Sequence, residues 1–160
     1  LELCGRRLRT AYMVSWGKHW EVDEEKYAQF RDAVPKILTR NDGLTMQELT
    51  AALNLAGYAW NPDQVKTMLC VGEAEGLVCN GREKNRKHTF ALLEERVPAA
   101  SGISREEALS LLARKYFHSH SPASLDDFMW WSGLSGQEAK TAIGSIEREL
   151  IQDRYEGRKR

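Results

Sequence analysis

The residue types best suited to chemistry gather in one stretch, Leu111 to Ser135, which reads LLARKYFHSHSPASLDDFMWWSGLS. His118 and His120, followed by Asp126 and Asp127, are donor types that bind metals, and paired carboxylates are the equipment of acid–base catalysis. The spacing argues against both. Histidines two positions apart at a helix end point to different faces, and no third ligand follows at a recognisable interval. A helix C-terminus favours a protonated histidine, and an imidazole also serves as a buried hydrogen-bonding group. Aspartates in a first helical turn are ordinary because the dipole favours them there. Cys70, Cys79 and His88 are spaced by nine positions, which matches no ordinary zinc pattern. These cysteines read as small buried side chains. No catalytic residue, metal ligand or cofactor is assigned. Trp130 and Trp131 point about 100° apart on a helix, so one is expected in the core and the other sealing a domain interface. Stacking on unpaired bases is the alternative use.

A second stretch, GREKNRKH from Gly81 to His88, sets Arg82, Lys84, Arg86 and Lys87 against Glu83 alone. Cations this dense at a hairpin tip suit DNA phosphates, with Asn80, Asn85 and His88 as polar helpers; a solvated loop is the alternative. Lys66 and Thr67 with Gln64, and Lys140, Thr141 and Arg148 with Gln137, lie off the apolar stripes of two further helices. In a helix-turn-helix that outer face enters the major groove. Glu73, Glu147 and Glu149 share those helices and repel phosphates, so base reading by both is not expected.

The elements that must carry these residues follow from periodicity. Residues 22–40 predict a helix with Tyr27, Phe30, Val34, Ile37 and Leu38 on one face, kinked or split at Pro35. Asn41, Asp42 and Gly43 make a turn. Thr45 with Glu48 opens a second helix, with a stripe of Leu49, Ala52, Leu53 and Ala56 that Gly57 ends. Asn61 and Pro62 open a third, with Val65, Met68, Leu69 and Gly72 inward, to Gly76. Apolar runs at 77–79 and 89–93 then flank the basic segment as a hairpin with a long loop. Three helices followed by a hairpin wing make a winged helix-turn-helix.

The order then repeats. After a linker at 99–103, Ser104 with Glu107 opens a helix with Ala108, Leu111, Leu112 and Tyr116 inward. Ser124 with Asp127 opens the next, ended by Gly133. Ser135 with Glu138 opens a third, striped by Ala139, Ala142, Ile143, Ile146 and Leu150. VKTMLCVGEAEGLV from Val65 overlays AKTAIGSIERELIQ from Ala139 at an offset of 74, and TMQEL from Thr45 overlays SLDDF from Ser124 at 79. The expected fold is mainly α with small β-hairpins (α+β), a tandem winged helix-turn-helix. Residues 1–21 read as the tail of an upstream unit, 22–98 as the first winged helix and 104–160 as the second, its wing cut short. The start without methionine and the ending EGRKR lead to the expectation of a piece of a longer protein.

Composition bounds the function. Apolar residues at 42% and charged residues at 29% fit a soluble globular protein. No apolar run approaches a membrane span, and residues 1–10 lack the apolar core of a signal peptide. With three cysteines outside any framework, reduced thiols in a cytoplasm are expected. The 23 basic residues balance 23 acidic ones, which disfavours a strongly basic polyanion binder and leaves charge distribution to decide.

The Leu111–Ser135 stretch closely resembles a motif of the bacterial winged-helix DNA-binding family that includes the AlkZ-like crosslink-repair DNA glycosylases. The family pattern reads like LARRYFxSHGPATLxDFAWWSGL. Leu112, Ala113, Arg114, Tyr116, Phe117, Ser119, His120, Pro122, Ala123, Leu125, Asp127, Phe128 and Trp130 to Leu134 match it, while Ser121 replaces a glycine and Met129 an alanine. LTMQELTAALNLAG, EGLVCNG and TFALLEERVP are similar to family segments too. The resemblance covers about residues 22–151. It implies tandem winged helices around duplex DNA, acting as a monomer without cofactor or membrane, and a parent protein that excises alkylated or crosslinked bases. The family's catalytic Gln-x-Gln motif occurs nowhere in this chain, so the segment itself is expected to be non-catalytic. A winged-helix transcription regulator and a protein–protein interaction module are the rival readings.

Overall fold

The computed structural model describes residues 3–39, 41, 43–98, 102–155 and 158–159. Residues 99–101 of the expected linker, Asp42 of the expected turn, and Glu156, Gly157 and Arg160 at the C-terminal end lie outside the described residues. The chain divides into two compact units, 1–100 and 101–160. Both are mainly helical, and the first carries a small antiparallel sheet.

The first unit begins with α1 (Gly5–Tyr12), which runs on through a π-helical turn (Met13–Gly17). Then come α2 (Glu24–Leu38), β1 (Leu44–Thr45), α3 (Met46–Leu55), α4 (Pro62–Glu75), β2 (Val78–Asn80), β3 (Thr89–Leu92) and the short α5 (Leu93–Arg96). β3 is the central strand, pairing antiparallel with β1 and with β2. The core joins Tyr27, Phe30, Val34 and Leu38 of α2 to Leu49 and Leu53 of α3, Val65, Met68 and Leu69 of α4, and Val78 and Leu92 of the sheet. Pro35 does not split α2. It stands in the last turn, where its missing N–H removes a single helical bond, and the backbone N–H and Oγ1 of Thr39 both donate to the Pro35 carbonyl.

Residues 3–21, from the segment expected to belong upstream, pack onto this unit. α1 lies against α4, and Arg9 ties three helices together. Its Nε donates to Glu75 at 2.5 Å, and its Nη1 and Nη2 donate to Glu24 at 3.1 and 2.5 Å. Tyr27 donates its hydroxyl to the other Glu75 oxygen at 2.7 Å, with the Arg9 guanidinium 5.7 Å from its ring centre. Burial first, and the bond to Glu75 second, push the Tyr27 hydroxyl well above its usual range. Gln64 Nε2 donates to the Trp20 carbonyl at the opposite end of α4. The π-helical turn, the tie to α4 and the sheet strand β1 carry no periodic signal and were not legible in the sequence.

The second unit comprises α6 (Arg105–Ser119), α7 (Leu125–Ser132), α8 (Gly136–Ser145), a 3₁₀ turn (Glu147–Glu149), β4 (Arg154–Tyr155) and β5 (Arg158–Lys159). The inner face of α6 is rotated from expectation: Leu109, Ala113, Tyr116 and Phe117 are buried and Leu111 is exposed. That set brings both aromatics onto Phe128, with ring centres 5.1 and 5.5 Å away. Neither tryptophan enters the core. Phe128 fills it, Trp131 leans on Tyr116 at 4.9 Å and is 47% exposed, and Trp130 is 88% exposed. Five helices start with reciprocal capping boxes, at Thr45/Glu48, Asn61/Gln64, Ser104/Glu107, Ser124/Asp127 and Ser135/Glu138.

A Cβ added at Gly5 would lie 2.2 Å from the Ala74 carbonyl oxygen, a backbone atom that cannot swing away. Gly5→Ala is expected to destabilise the first unit by about 1–3 kcal/mol. Hydrogen exchange is the measurement: amide protection in α1 and α4 falls together, and unchanged protection would mean that α1 does not seat there.

Candidate nucleic-acid interface

The basic segment is a tight hairpin, not a long loop. β2 and β3 pair Val78 with Leu92, Cys79 with Ala91 and Asn80 with Phe90. Pairing continues through Gly81, whose N–H donates to the Thr89 carbonyl, and ends where Lys84 and Lys87 exchange backbone hydrogen bonds of 3.0 and 2.9 Å. Asn85 and Arg86 close the turn at φ of 51° and 61°. Positive φ at both central residues defines the turn type whose twist matches antiparallel strands, and asparagine is among the residues that favour it. Buried Thr89 anchors the base, its Oγ1 donating to the Arg82 carbonyl at 2.6 Å.

All seven side chains from Arg82 to His88 are exposed. The hairpin thus brings Arg82, Lys84, Arg86 and Lys87 onto one projecting element. Lys84 is committed: its Nζ donates to Glu48 Oε1 at 2.5 Å, while Glu48 Oε2 accepts from the Thr45 N–H and hydroxyl, each at 2.9 Å. Thr45, Gln47, Glu48, Lys84, Asn85 and Lys87 line a shallow hollow there. The Lys84 ammonium, then the Thr45 donors, hold the Glu48 carboxyl at about 2 instead of 4.5.

The helix candidates fare differently. Thr67 is 1% exposed and its hydroxyl donates to the Asp63 carbonyl, so it presents nothing to a phosphate. Gln64 is buried as well, with its amide spent on Asn61 and Trp20. Gln64, Thr67, Val71 and Ala74 form a second buried stripe on α4, touched at its two ends by the N-terminal segment. Of the outer-face residues named from sequence, Lys66 remains exposed. Burial also raises the Glu73 carboxyl above its usual range. In the second unit Lys140 and Arg148 are exposed, Arg148 in the 3₁₀ turn beyond α8. Glu149 is claimed by Arg114 through two 2.7 Å bonds, which keep its carboxyl below the usual range.

The histidines hold no metal geometry. His120 caps the end of α6, its ring stacked on Tyr116 at 4.7 Å and 8° with Nδ1 beside the Ser119 hydroxyl and the Tyr116 carbonyl. Among the described residues no group of three or more His, Cys, Asp or Glu is placed to hold a metal ion, and no helix is long and apolar enough to cross a membrane.

The described residues thus place Arg82, Lys84, Arg86 and Lys87 on one exposed hairpin of a mainly helical chain. Residues 2–160 match the family described as DNA glycosylase AlkZ-like, and the chain belongs to that family. Among solved structures it is similar to the Streptomyces sahachiroi DNA glycosylase AlkZ, with a TM-score of 0.72 and 22% identity over 98% of this chain and 45% of that one. At that identity the likeness is one of fold, and the chain spans less than half the length of that protein. No curated protein matches the chain.

An arginine at φ 61° costs about 1–2 kcal/mol that glycine does not incur. Arg86→Gly is expected to stabilise the first unit by about 1 kcal/mol, raising its melting midpoint by about 4–8 °C while deleting a cation. A lowered midpoint would contradict the turn geometry. Acid tests the Glu48 tie. Because the folded carboxyl is held below its unfolded value, its stabilisation is complete above about 4.5 and fades as pH falls toward about 2. Titration by NMR should show a hairpin amide transition centred near pH 2 in the wild type that Glu48→Gln lacks.

Proposed function

We propose that this chain is a DNA-gripping scaffold of a repair glycosylase, built from two winged-helix units at 22–98 and 104–160, with residues 3–21 laid against the first. The wing Val78–Leu92 contacts duplex phosphates through Arg82, Arg86 and Lys87, with Lys66, Lys140 and Arg148 as accessory cations. The carrying observation is the exposed hairpin with its concentrated charge beside a third helix, α4, that is buried on two faces. Such a surface holds the backbone and leaves base sequence unread. Base excision belongs to the whole protein, and none of its catalytic residues is placed in this segment. The partner is double-stranded DNA, bound by a monomer in the bacterial cytoplasm. A transcription regulator needs an open recognition helix and a dimer with spaced half-sites, which a covered α4 disfavours. An interaction module is the second reading, favoured by exposed Trp130 and Trp131.

Fluorescence anisotropy with undamaged duplex, titrated across salt, is the test. Affinity should fall steeply with salt, be indifferent to sequence, and vanish when Arg82, Arg86 and Lys87 are all reversed to Glu. Unreduced affinity in that variant sinks the wing assignment. Absence of binding at low salt turns the reading to the interaction module.

A further inference from the structure

Glu48 occupies the place beside Lys84 that a DNA phosphate would take. We infer that Glu48 is an internal phosphate mimic that keeps Lys84 off DNA and limits the grip of the hairpin. The inference rests on the proposed phosphate-binding role of the hairpin and concerns how that role is regulated.

Three observations carry it. The contact is direct and directional, with one oxygen on the Lys84 ammonium at 2.5 Å and the other on the cap of α3. The cap does not need a charge at this position, because the α4 box performs the same task with neutral Gln64. The choice of glutamate therefore has its consequence at Lys84. In the second unit the residue aligned with Glu48 is Asp127, which caps α7 by accepting from the Ser124 N–H and hydroxyl; the capping carboxylate that pairs with a cation is Glu138 of α8, and that cation is Arg105 of α6. There the pair staples two helices. In the first unit it reaches an exposed cation on the element that carries the concentrated positive charge, and Lys84 keeps 52% of its side chain exposed. Glu83 is the other carboxylate in the hairpin, and Arg82, Arg86 and Lys87 form no ion pair among the described residues.

Carboxylate and phosphate compete for the same ammonium. In the wild type the Lys84 charge is answered within the protein, and few counterions are released by bringing it to DNA. Glu48→Gln keeps both capping hydrogen bonds and removes the competitor. One additional cation then becomes available to the backbone.

The experiment is a salt-dependent anisotropy cycle on the whole 160-residue chain, using a 20-base-pair duplex with wild type, Glu48→Gln, Lys84→Ala and the double variant. Glu48→Gln should bind more tightly at low salt, and its slope of log K against log salt should steepen by about 0.9, the increment of one phosphate contact. It then loses about 3.5-fold more affinity than wild type over a fourfold rise in salt. Lys84→Ala should leave the wild-type slope nearly unchanged and cancel the gain in the Glu48→Gln background. An unchanged or shallower slope for Glu48→Gln overturns the inference, as does a full-contact loss for Lys84→Ala alone; both leave the hairpin reading standing. If neither wild type nor Glu48→Gln binds duplex with salt dependence, the hairpin reading fails and this inference with it.

Discussion

The first unit is organised around a helix that is buried on two of its faces. α4 turns Val65, Met68, Leu69 and Gly72 toward the core and Gln64, Thr67, Val71 and Ala74 toward a second interface. A helix buried on two sides is rigid, because displacing it opens both seams at once. α1 can approach closely because Gly5 has no side chain where the Ala74 carbonyl sits. The same closeness brings Arg9 to Glu24 and Glu75, and Glu75 then accepts from Tyr27. Each charge at that junction answers another, so the interface is held without leaving a buried polar atom unpaired. Beyond α4, the concentrated positive charge of this unit lies on the hairpin that follows it.

Several of the charges in this chain are answered inside the protein. Glu48 and Glu138 each perform two tasks, capping a helix and holding a cation, and both carboxyls are drawn down to about 2. Arg114 and Glu149 tie α6 to the 3₁₀ turn in the same way. Exposed pairs of this kind add little stability individually. They fix geometry instead, determining which cations stay available. A zero net charge is thus compatible with a locally basic hairpin, because the acids are sequestered at helix starts.

Much of this was written in the pattern of residues. Helix starts were legible because a hydroxyl followed three positions later by a carboxylate has one local use, and four of the five capping boxes were readable directly. The hairpin was legible from its flanking apolar runs, but its turn was not. Asn85–Arg86 lacks the glycine that usually marks a two-residue turn, and Arg86 accepts an unfavourable backbone angle there. The π-helical turn was missed because its periodicity differs from that of the flanking helix. Thr67 and Gln64 were misplaced for a related reason. A polar residue off the apolar stripe reads as solvent-facing unless a second partner is known, and the covering helix is remote in sequence. Leu111 was misassigned because α6 is apolar at 109, 111, 112 and 113, and only the demands of Phe117 and Phe128 select the face.

The stretch Leu111–Ser135, richest in residue types that perform chemistry, turns out to be structural in His120 and most of its aromatics. Tyr116 is the centre: it stacks on His120, meets Phe117 and Phe128 inside, and carries Trp131 at the rim. A ladder of rings fixes the end of α6 against α7 without metal or acid–base pair. Trp130 stands outside that ladder, and packing within its own unit does not explain an indole so exposed. The two units therefore differ in kind. The first offers charge on a stiff hairpin, and the second offers an aromatic edge on a stiff helix pair.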